Sequence, residues 1–261
     1  YENVTGMLKH DKGRTWEVIS SIFDTLEYSW KYWVLNATDF GLPQNRRRIF
    51  VVGFRNDCKA FFQRIMDPQK IKLKVDMASM LESDVANKYY LPEKGFKRAI
   101  DPAQKKHVAL NGTIARCQVA CQQYNWFGDM RFETEIPARL EEDTRIYKGE
   151  FNGQRGVARC LTPRECLRLM GYADNFKIAV PDTHMYRQCG NSIAVNVMME
   201  VVRQINLTGI FKECGDEKRL QVATVFSGIG AAEFALKRLG IKHDIVFACD
   251  NGEIDLIKSD D

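Results

Sequence analysis

The stretch Leu220 to Gly240, LQVATVFSGIGAAEFALKRLG, constrains this chain most. Val222 to Phe226 is a short β-branched and aromatic run, which reads as a buried strand. It breaks at Ser227-Gly228-Ile229-Gly230, and Ala231 to Leu239 then reads as a helix. Ala235, Leu236 and Leu239 give that helix one apolar face, and Gly240 stands where it stops. A strand, a glycine turn and a helix form the opening unit of a nucleotide-binding α/β sheet. The glycines let backbone come close to a ligand, and the start of the helix offers N–H groups to an anion. The same turn also occurs as plain packing, so the residues that follow matter. Asp244 to Ala248, DIVFA, is a second strand, and it ends at Cys249-Asp250. An acidic residue ~20 positions beyond the glycine turn is placed to take the two hydroxyls of a ribose.

With 261 residues, 45% of them hydrophobic and 28% charged, the chain suits one large or two modest folded domains. No apolar run approaches the ~18 residues that span a bilayer, and no secretory signal pattern opens the sequence. Cysteines 58, 117, 121, 160, 166, 189, 214 and 249 lack paired spacing, so reduced thiols and a cytoplasmic location are expected. Cys117 and Cys121 have no second pair or nearby histidine to complete a metal site. The net charge of +4 permits a nucleic-acid partner without demanding one.

The chain opens on Tyr1-Glu2-Asn3-Val4 without a methionine, and a cut end is expected there. Trp16, Ile19, Ile22, Phe23 and Leu26 recur at helical spacing and predict a core-facing helix over 15–26. Ile49 to Phe54 is a continuous apolar run and predicts a buried strand. Arg46, Arg47 and Arg48 stand at its mouth, where a carboxylate or an external anion would meet them. Residues 57–72 read as a linker with a short helix. Residues 73–157 have poor periodicity and interleave polar with aromatic groups, notably Gln122, Gln123, Tyr124, Asn125, Trp126 and Phe127 between Arg116 and Arg131. This reads as a loop-rich, mostly β segment of a kind that suits groove readout. Thr162-Pro163 with Glu165 predicts a capping box and a helix that Gly171 ends. No local reason explains Arg159, Arg164 and Arg168 beside it. Gly190-Asn191-Ser192 leads into an apolar-faced helix, with Asn191 or Ser192 as its expected N-cap.

Together these pieces resemble the DNA cytosine-5 methyltransferases. Tyr1-Glu2-Asn3-Val4 looks like that family's ENV motif and Gln44 to Arg48 like its Q-x-R-x-R motif. Arg159 to Tyr172 resembles its R-x-L-T-x-R-E-x-x-R-L-x-G-[FY] segment. Gly190-Asn191-Ser192 matches its G-N-S motif, and Phe226 to Gly230 its F-x-G-x-G cofactor loop. The resemblance implies an α/β, Rossmann-like S-adenosylmethionine-dependent sheet, incomplete here, with a smaller loop-rich, mostly β target-recognition domain. The expected division is a first catalytic part at 1–72, target recognition at 73–187, and a second catalytic part at 188–261. Glu2, Arg46 and Arg48 would be catalytic. Phe226, Gly228, Gly230, Asp250, Asn191 and Ser192 would hold S-adenosyl-L-methionine. Double-stranded DNA would be the substrate, in a restriction-modification setting, and no metal is implied.

Two departures qualify the resemblance. The family's usual order places the cofactor loop first and the G-N-S helix last, so this chain reads as circularly permuted or as a junction of two units. The family's nucleophile is the cysteine of a Pro-Cys motif, yet the seven prolines here are followed by Gln44, Gln69, Glu93, Ala103, Ala138, Arg164 and Asp182. At roughly 30 residues per strand–helix unit, about 60 to 90 residues of the family's sheet are lacking. The chain alone is therefore expected to be inactive, with the sulfur on a second polypeptide or a missing segment. A non-catalytic DNA-binding relic and an unrelated nucleotide-dependent oxidoreductase are the competing expectations.

Overall fold

The computed structural model describes residues 1–213 and 219–250. Its first sheet holds β1 (Glu2–Val4), β2 (Tyr28–Asn36) and β3 (Arg47–Arg55), with α1 (Arg14–Thr25) between the first two. The order is β1-β3-β2, antiparallel throughout, with Phe50 opposite both Glu2 and Trp33. The apolar run of β3 is buried because both of its faces are covered. Ile49 and Val51 point to one side, where Met7 and α1 residues Trp16, Ile19 and Phe23 pack. Phe50, Val52 and Phe54 point to the other and enter the main core. The predicted stripe of α1 is only partly used: Ile22 is 50% and Leu26 59% exposed. A three-stranded sheet is too narrow to cover the full width of an amphipathic helix's apolar stripe.

After the short α2 (Lys59–Phe62), the chain runs mainly through turns to α3 (Glu93–Ile100) and a second sheet. That sheet comprises β4 (Val108–Leu110), β5 (Gly128–Glu133), β6 (Lys148–Phe151) and β7 (Gln154–Cys160), ordered β4-β5-β7-β6, with α4 (Ala138–Glu142) between β5 and β6. Leu91, Phe96, Met130, Phe132 and Ala158 form its core. Several polar residues expected to read a groove are used internally instead. The Gln122 amide donates to Gln118 Oε1 and the Tyr186 carbonyl, each at 3.2 Å, and Gln123 Nε2 donates to the Asp129 carbonyl at 3.0 Å. Arg116 donates to the carbonyls of Lys105, Lys106, His107 and Gly128. Such bonds tie loop carbonyls to side chains where no strand or helix partner serves them.

Helix α5 (Pro163–Leu169) begins with both halves of the capping box in place. The arginines around it also find their reasons. Arg159, 1% exposed, pairs with Glu133 at 2.7 Å and with fully buried Glu165 at 2.9 Å. Arg168 pairs with Asp174 at 2.7 Å, and Arg164 donates to the Phe176 carbonyl at 2.7 Å.

The G-N-S segment differs from expectation. Helix α6 (Asp182–Asn191) ends there, and α7 (Val195–Leu207) starts with Ala194 as its N-cap and no side-chain capping bond. The Val195 N–H is taken by the Met170 carbonyl at 2.9 Å, so a backbone group from the end of α5 serves one of the donors left over at a helix start. Gly190 is required by close approach, since a Cβ there would lie 2.2 Å from the Val119 carbonyl carbon.

Following α8 (Ile210–Glu213), β8 (Leu220–Val225), α9 (Ala231–Arg238) and β9 (His243–Cys249) form the strand–turn–helix–strand unit, with β8 and β9 parallel. Helix α9 packs on α7 and the main core through buried Ala231, Ala235 and Leu236. Phe234 stacks edge-on against Tyr172 with ring centroids 5.2 Å apart, and Arg238 donates to the Gly171 carbonyl at 2.9 Å. The strands are where expected, but they are not buried: Val225 is 62%, Val246 58% and Phe247 53% exposed. Two strands covered on one face leave the other face open.

The whole is an α/β arrangement with a partial, mixed set of strands. Sheet β1-β3-β2, α5, α7 and the start of α9 share one core.

Candidate active site

A cavity of about 440 Å³ opens between the first sheet and the β8–α9 unit. Tyr1 and Glu2 line it from β1, Asn191 and Ser192 from the α6–α7 turn, and Phe226, Ser227 and Gly228 from the glycine turn. Sequence positions more than 220 residues apart thus share one wall-to-wall space.

Glu2 is held by β1 pairing with β3, which sets its carboxylate beside the β3 arginines. Its Oε1 lies 3.4 Å from Arg48 Nε and accepts no hydrogen bond. Burial raises the Glu2 pKa above the ordinary carboxylate value, and the nearby charges of Arg48 and Arg46 oppose that rise without cancelling it. Arg48 also reaches Cys117 Sγ at 3.5 Å and its neighbour's carbonyl, that of Arg47, at 2.9 Å.

Arg46 is placed differently. It is 3% exposed, and its terminal nitrogens donate to the carbonyls of Gln118 at 2.8 Å, Gly190 at 3.0 Å and Ser192 at 2.6 Å. Its cation therefore ties the α6–α7 turn to the strand that carries Arg48. Gln44, fully buried, does similar work with the Leu169 carbonyl at 2.9 Å and the Gln118 N–H at 3.1 Å. Ser192 Oγ and Tyr172 Oη lie 2.8 Å apart, so the end of the α5 segment also fixes this turn.

On the opposite wall, Phe226, Gly228 and Gly230 all adopt positive φ, at 55°, 54° and 73°. Phe226 is a strained choice for that conformation, and the residue is 75% exposed. A Cβ on Gly228 would meet nothing within 4 Å, so the turn faces open space. Asp250, just past β9, accepts the Gly228 N–H at 2.7 Å through Oδ2, and the Ser227 N–H meets the Cys249 carbonyl at 3.0 Å. Gly230 caps the start of α9. Glu233 also lines the cavity, and its Oε2 is buried without a hydrogen-bond partner.

Glu2, Asn191, Ser192, Phe226 and Gly228 are thus brought together on the cavity, and Arg48 stands behind Glu2. Gly230 ends the glycine turn and Asp250 accepts the Gly228 N–H from the end of β9, while Arg46 holds the α6–α7 turn; none of these three lines the cavity. Cys117, Tyr172 and Glu233 stand in or beside this site without having been singled out for it from the sequence. Only Tyr172 carried a signal, as the last residue of the Arg159–Tyr172 segment. Among the described residues no group of His, Cys, Asp and Glu is arranged to hold a metal ion, and no helix is long and apolar enough to cross a membrane.

Residues 1–207 match the C-5 cytosine-specific DNA methylase family. This chain belongs to that family. It is 35% identical to the type II methyltransferase M.SsoII of Shigella sonnei over 208 residues, which is 78% of this chain and 51% of that protein. It is 30% identical to M.HhaI of Haemophilus parahaemolyticus over 215 residues, covering 81% of this chain and 63% of that one. The chain thus spans about half to two-thirds of the length of the curated relatives it matches. The solved DNMT2 mutant of Spodoptera frugiperda shares the fold with a TM-score of 0.58 at 19% identity, over 78% of this chain and 65% of that one. The Entamoeba histolytica methyltransferase EhMeth does so with a TM-score of 0.56 at 19% identity, over 78% and 60%. Both support a Rossmann-like methyltransferase fold. The glycine turn at 226–230 lies beyond the residues that the family match covers.

Proposed function

We propose that this chain forms the base pocket, cofactor pocket and recognition segment of a DNA cytosine-5 methyltransferase of the restriction-modification type. Its substrate would be a cytosine turned out of duplex DNA, since the ring carbons cannot be reached within the stack. The observation that carries the reading is the shared cavity: a protonatable carboxylate from β1 faces a glycine turn of the kind that holds a nucleoside.

S-adenosyl-L-methionine fits this space by volume, which falls in the ~300–1,000 Å³ range of small-molecule sites, and by the open backbone at Gly228. Phe226, Gly228, Gly230 and Asp250 would hold its nucleoside end, and Asn191 and Ser192 its amino-acid end. When bound, it supplies the methyl group. The chain's own residues prepare the acceptor. Attack of a thiolate on C6 pushes electron density towards N3 and makes C5 nucleophilic. Glu2, whose pKa burial raises, would donate to N3 and lower that barrier. Arg48 orients Glu2 and the base, and Arg46 positions Arg48 and the Ser192 turn. After methyl transfer a base removes the C5 proton, and the bond between sulfur and C6 breaks.

The thiolate itself would come from a Pro-Cys segment outside these 261 residues, on a second polypeptide or elsewhere in a longer chain. The placement of the cofactor turn after the family-matched residues supports a permuted order or a junction of two units. In this reading residues 1–72 and 188–261 build the catalytic pocket, residues 73–187 read the DNA, and the enzyme works in the cytoplasm. The absence of a Pro-Cys pair favours one alternative, a DNA-binding relic without catalysis.

A methyl-transfer assay on duplex DNA separates them. Labelled methyl groups should enter the duplex when the chain is mixed with a segment carrying the Pro-Cys loop, and not without it. Binding to the duplex with no transfer after mixing would favour the relic. Turnover by the chain alone would refute the account of the sulfur.

A further inference from the structure

Away from the cavity of the active site, the second sheet carries a pocket of about 400 Å³ lined by Lys94, Arg98, Asn125 and Trp126. Each feature of it points towards one kind of ligand. Lys94 and Arg98 are four residues apart on α3 and so share a face. The neighbouring Lys97 is engaged with Glu93 at 2.6 Å, whereas the buried Nε of Arg98 has no hydrogen-bond partner. Trp126 lies flat against the same helix, and only a glycine permits it: a Cβ on Gly95 would sit 2.8 Å from Trp126 Cε2. The indole is thereby held beside two cations.

The turn that brings it there is strained. Gln123, Asn125 and Trp126 all adopt positive φ, at 60°, 47° and 56°. Each such non-glycine residue needs support from its surroundings, and such conformations cluster where a loop grips a ligand. Gln123 has that support through its bonds to the Asp129 and Phe127 backbone. Asn125 is exposed and its amide makes no hydrogen bond among the described residues, while the adjacent Tyr124 is 68% exposed. The other large polar side chains of this turn, Gln122 and Gln123, face inward.

We propose that this pocket is a second nucleotide site, distinct from the base pocket at Glu2, which holds one nucleotide of the bound DNA strand. The phosphate pairs with Lys94 and Arg98, the base, displaced from its own stack, lies on Trp126, and the Asn125 amide meets the base edge with one donor and one acceptor side. The proposal rests on the reading that this chain binds DNA. It adds where a strand is gripped at a distance from the reacting base.

The test is equilibrium binding of the full chain to a fluorescein-labelled duplex over a series of salt concentrations. Lys94→Ala/Arg98→Ala on the surface should reduce the slope of log affinity against log salt by about one unit, at ~0.9 per phosphate. Trp126→Ala should weaken binding about tenfold and Trp126→Phe less, as loss of stacking requires. Circular dichroism melts establish that each variant is folded; if Trp126→Ala is not, the Lys94/Arg98 pair and Asn125→Ala decide. A folded double variant with an unchanged salt slope overturns this site while leaving the functional reading intact. Failure of the unaltered chain to bind any duplex overturns both.

Discussion

Burial and charge pull Glu2 in opposite directions, and burial prevails. The folded chain therefore holds this proton to higher pH than the unfolded chain does. Its contribution to stability is full below the unfolded value of 4.5 and is lost as pH rises through the raised folded value. Glu2→Gln removes that titration. Its melting midpoint should lose the fall between the two values that the unaltered chain shows, and methyl transfer in the completed enzyme should drop by about a hundredfold or more. Melts across acidic to neutral pH and single-turnover transfer rates check the two effects; an unchanged pH slope in the Gln variant would show that another group is responsible. At this scale the sequence was informative about identity and silent about partners. The arginines before β3 were visible as charges in need of an anion, but nothing local indicated that Arg48 meets Glu2 while Arg46 meets carbonyls near residue 190. Cys117 was unreadable for the same reason, since its neighbours lie about 70 positions away.

Among the elements, those with local signals were legible. The apolar run of β3 and the capping box of α5 are written in adjacent residues, and both form as read. The start of α7 was not legible, because its first donor is satisfied by Met170 from another element. Two glycines separate structural from functional turns. Gly190→Ala drives a Cβ into the Val119 backbone, which cannot yield as a side chain would. It should destabilise the fold by about 1–3 kcal/mol or more. Gly228→Ala meets open space and pays only for its positive φ, about 1–2 kcal/mol. Denaturant titration should therefore rank Gly190→Ala as the more damaging, while calorimetry should find cofactor binding weakened chiefly by Gly228→Ala. The reverse ranking would mean that the glycine turn is a packing device.

For the molecule as a whole, the mixture of elements expected for an α/β fold is present, but its strands lie in separate sheets with open faces. Ile22 and Leu26 on α1, and Val225, Val246 and Phe247 on the β8–β9 pair, present apolar surface to solvent. Strand burial was misjudged for β8 because an apolar run states a preference, and only the neighbouring elements decide whether it is met. Exposed sheet faces and unpaired strand edges favour association. Sedimentation of the purified chain should show concentration-dependent self-association that lessens with Val246→Lys or Phe247→Lys; a monodisperse, cooperatively melting monomer would contradict this.

The central claim is that one pocket is built from both ends of the described chain. Calorimetric titration with S-adenosylhomocysteine tests it most directly. Saturable binding at one site per chain is expected, weakened both by Phe226→Ala in the glycine turn and by Glu2→Arg, which places a bulky side chain from the other end of the sequence in the same space. Binding that Phe226→Ala weakens but a folded Glu2→Arg variant leaves untouched would contradict a shared pocket.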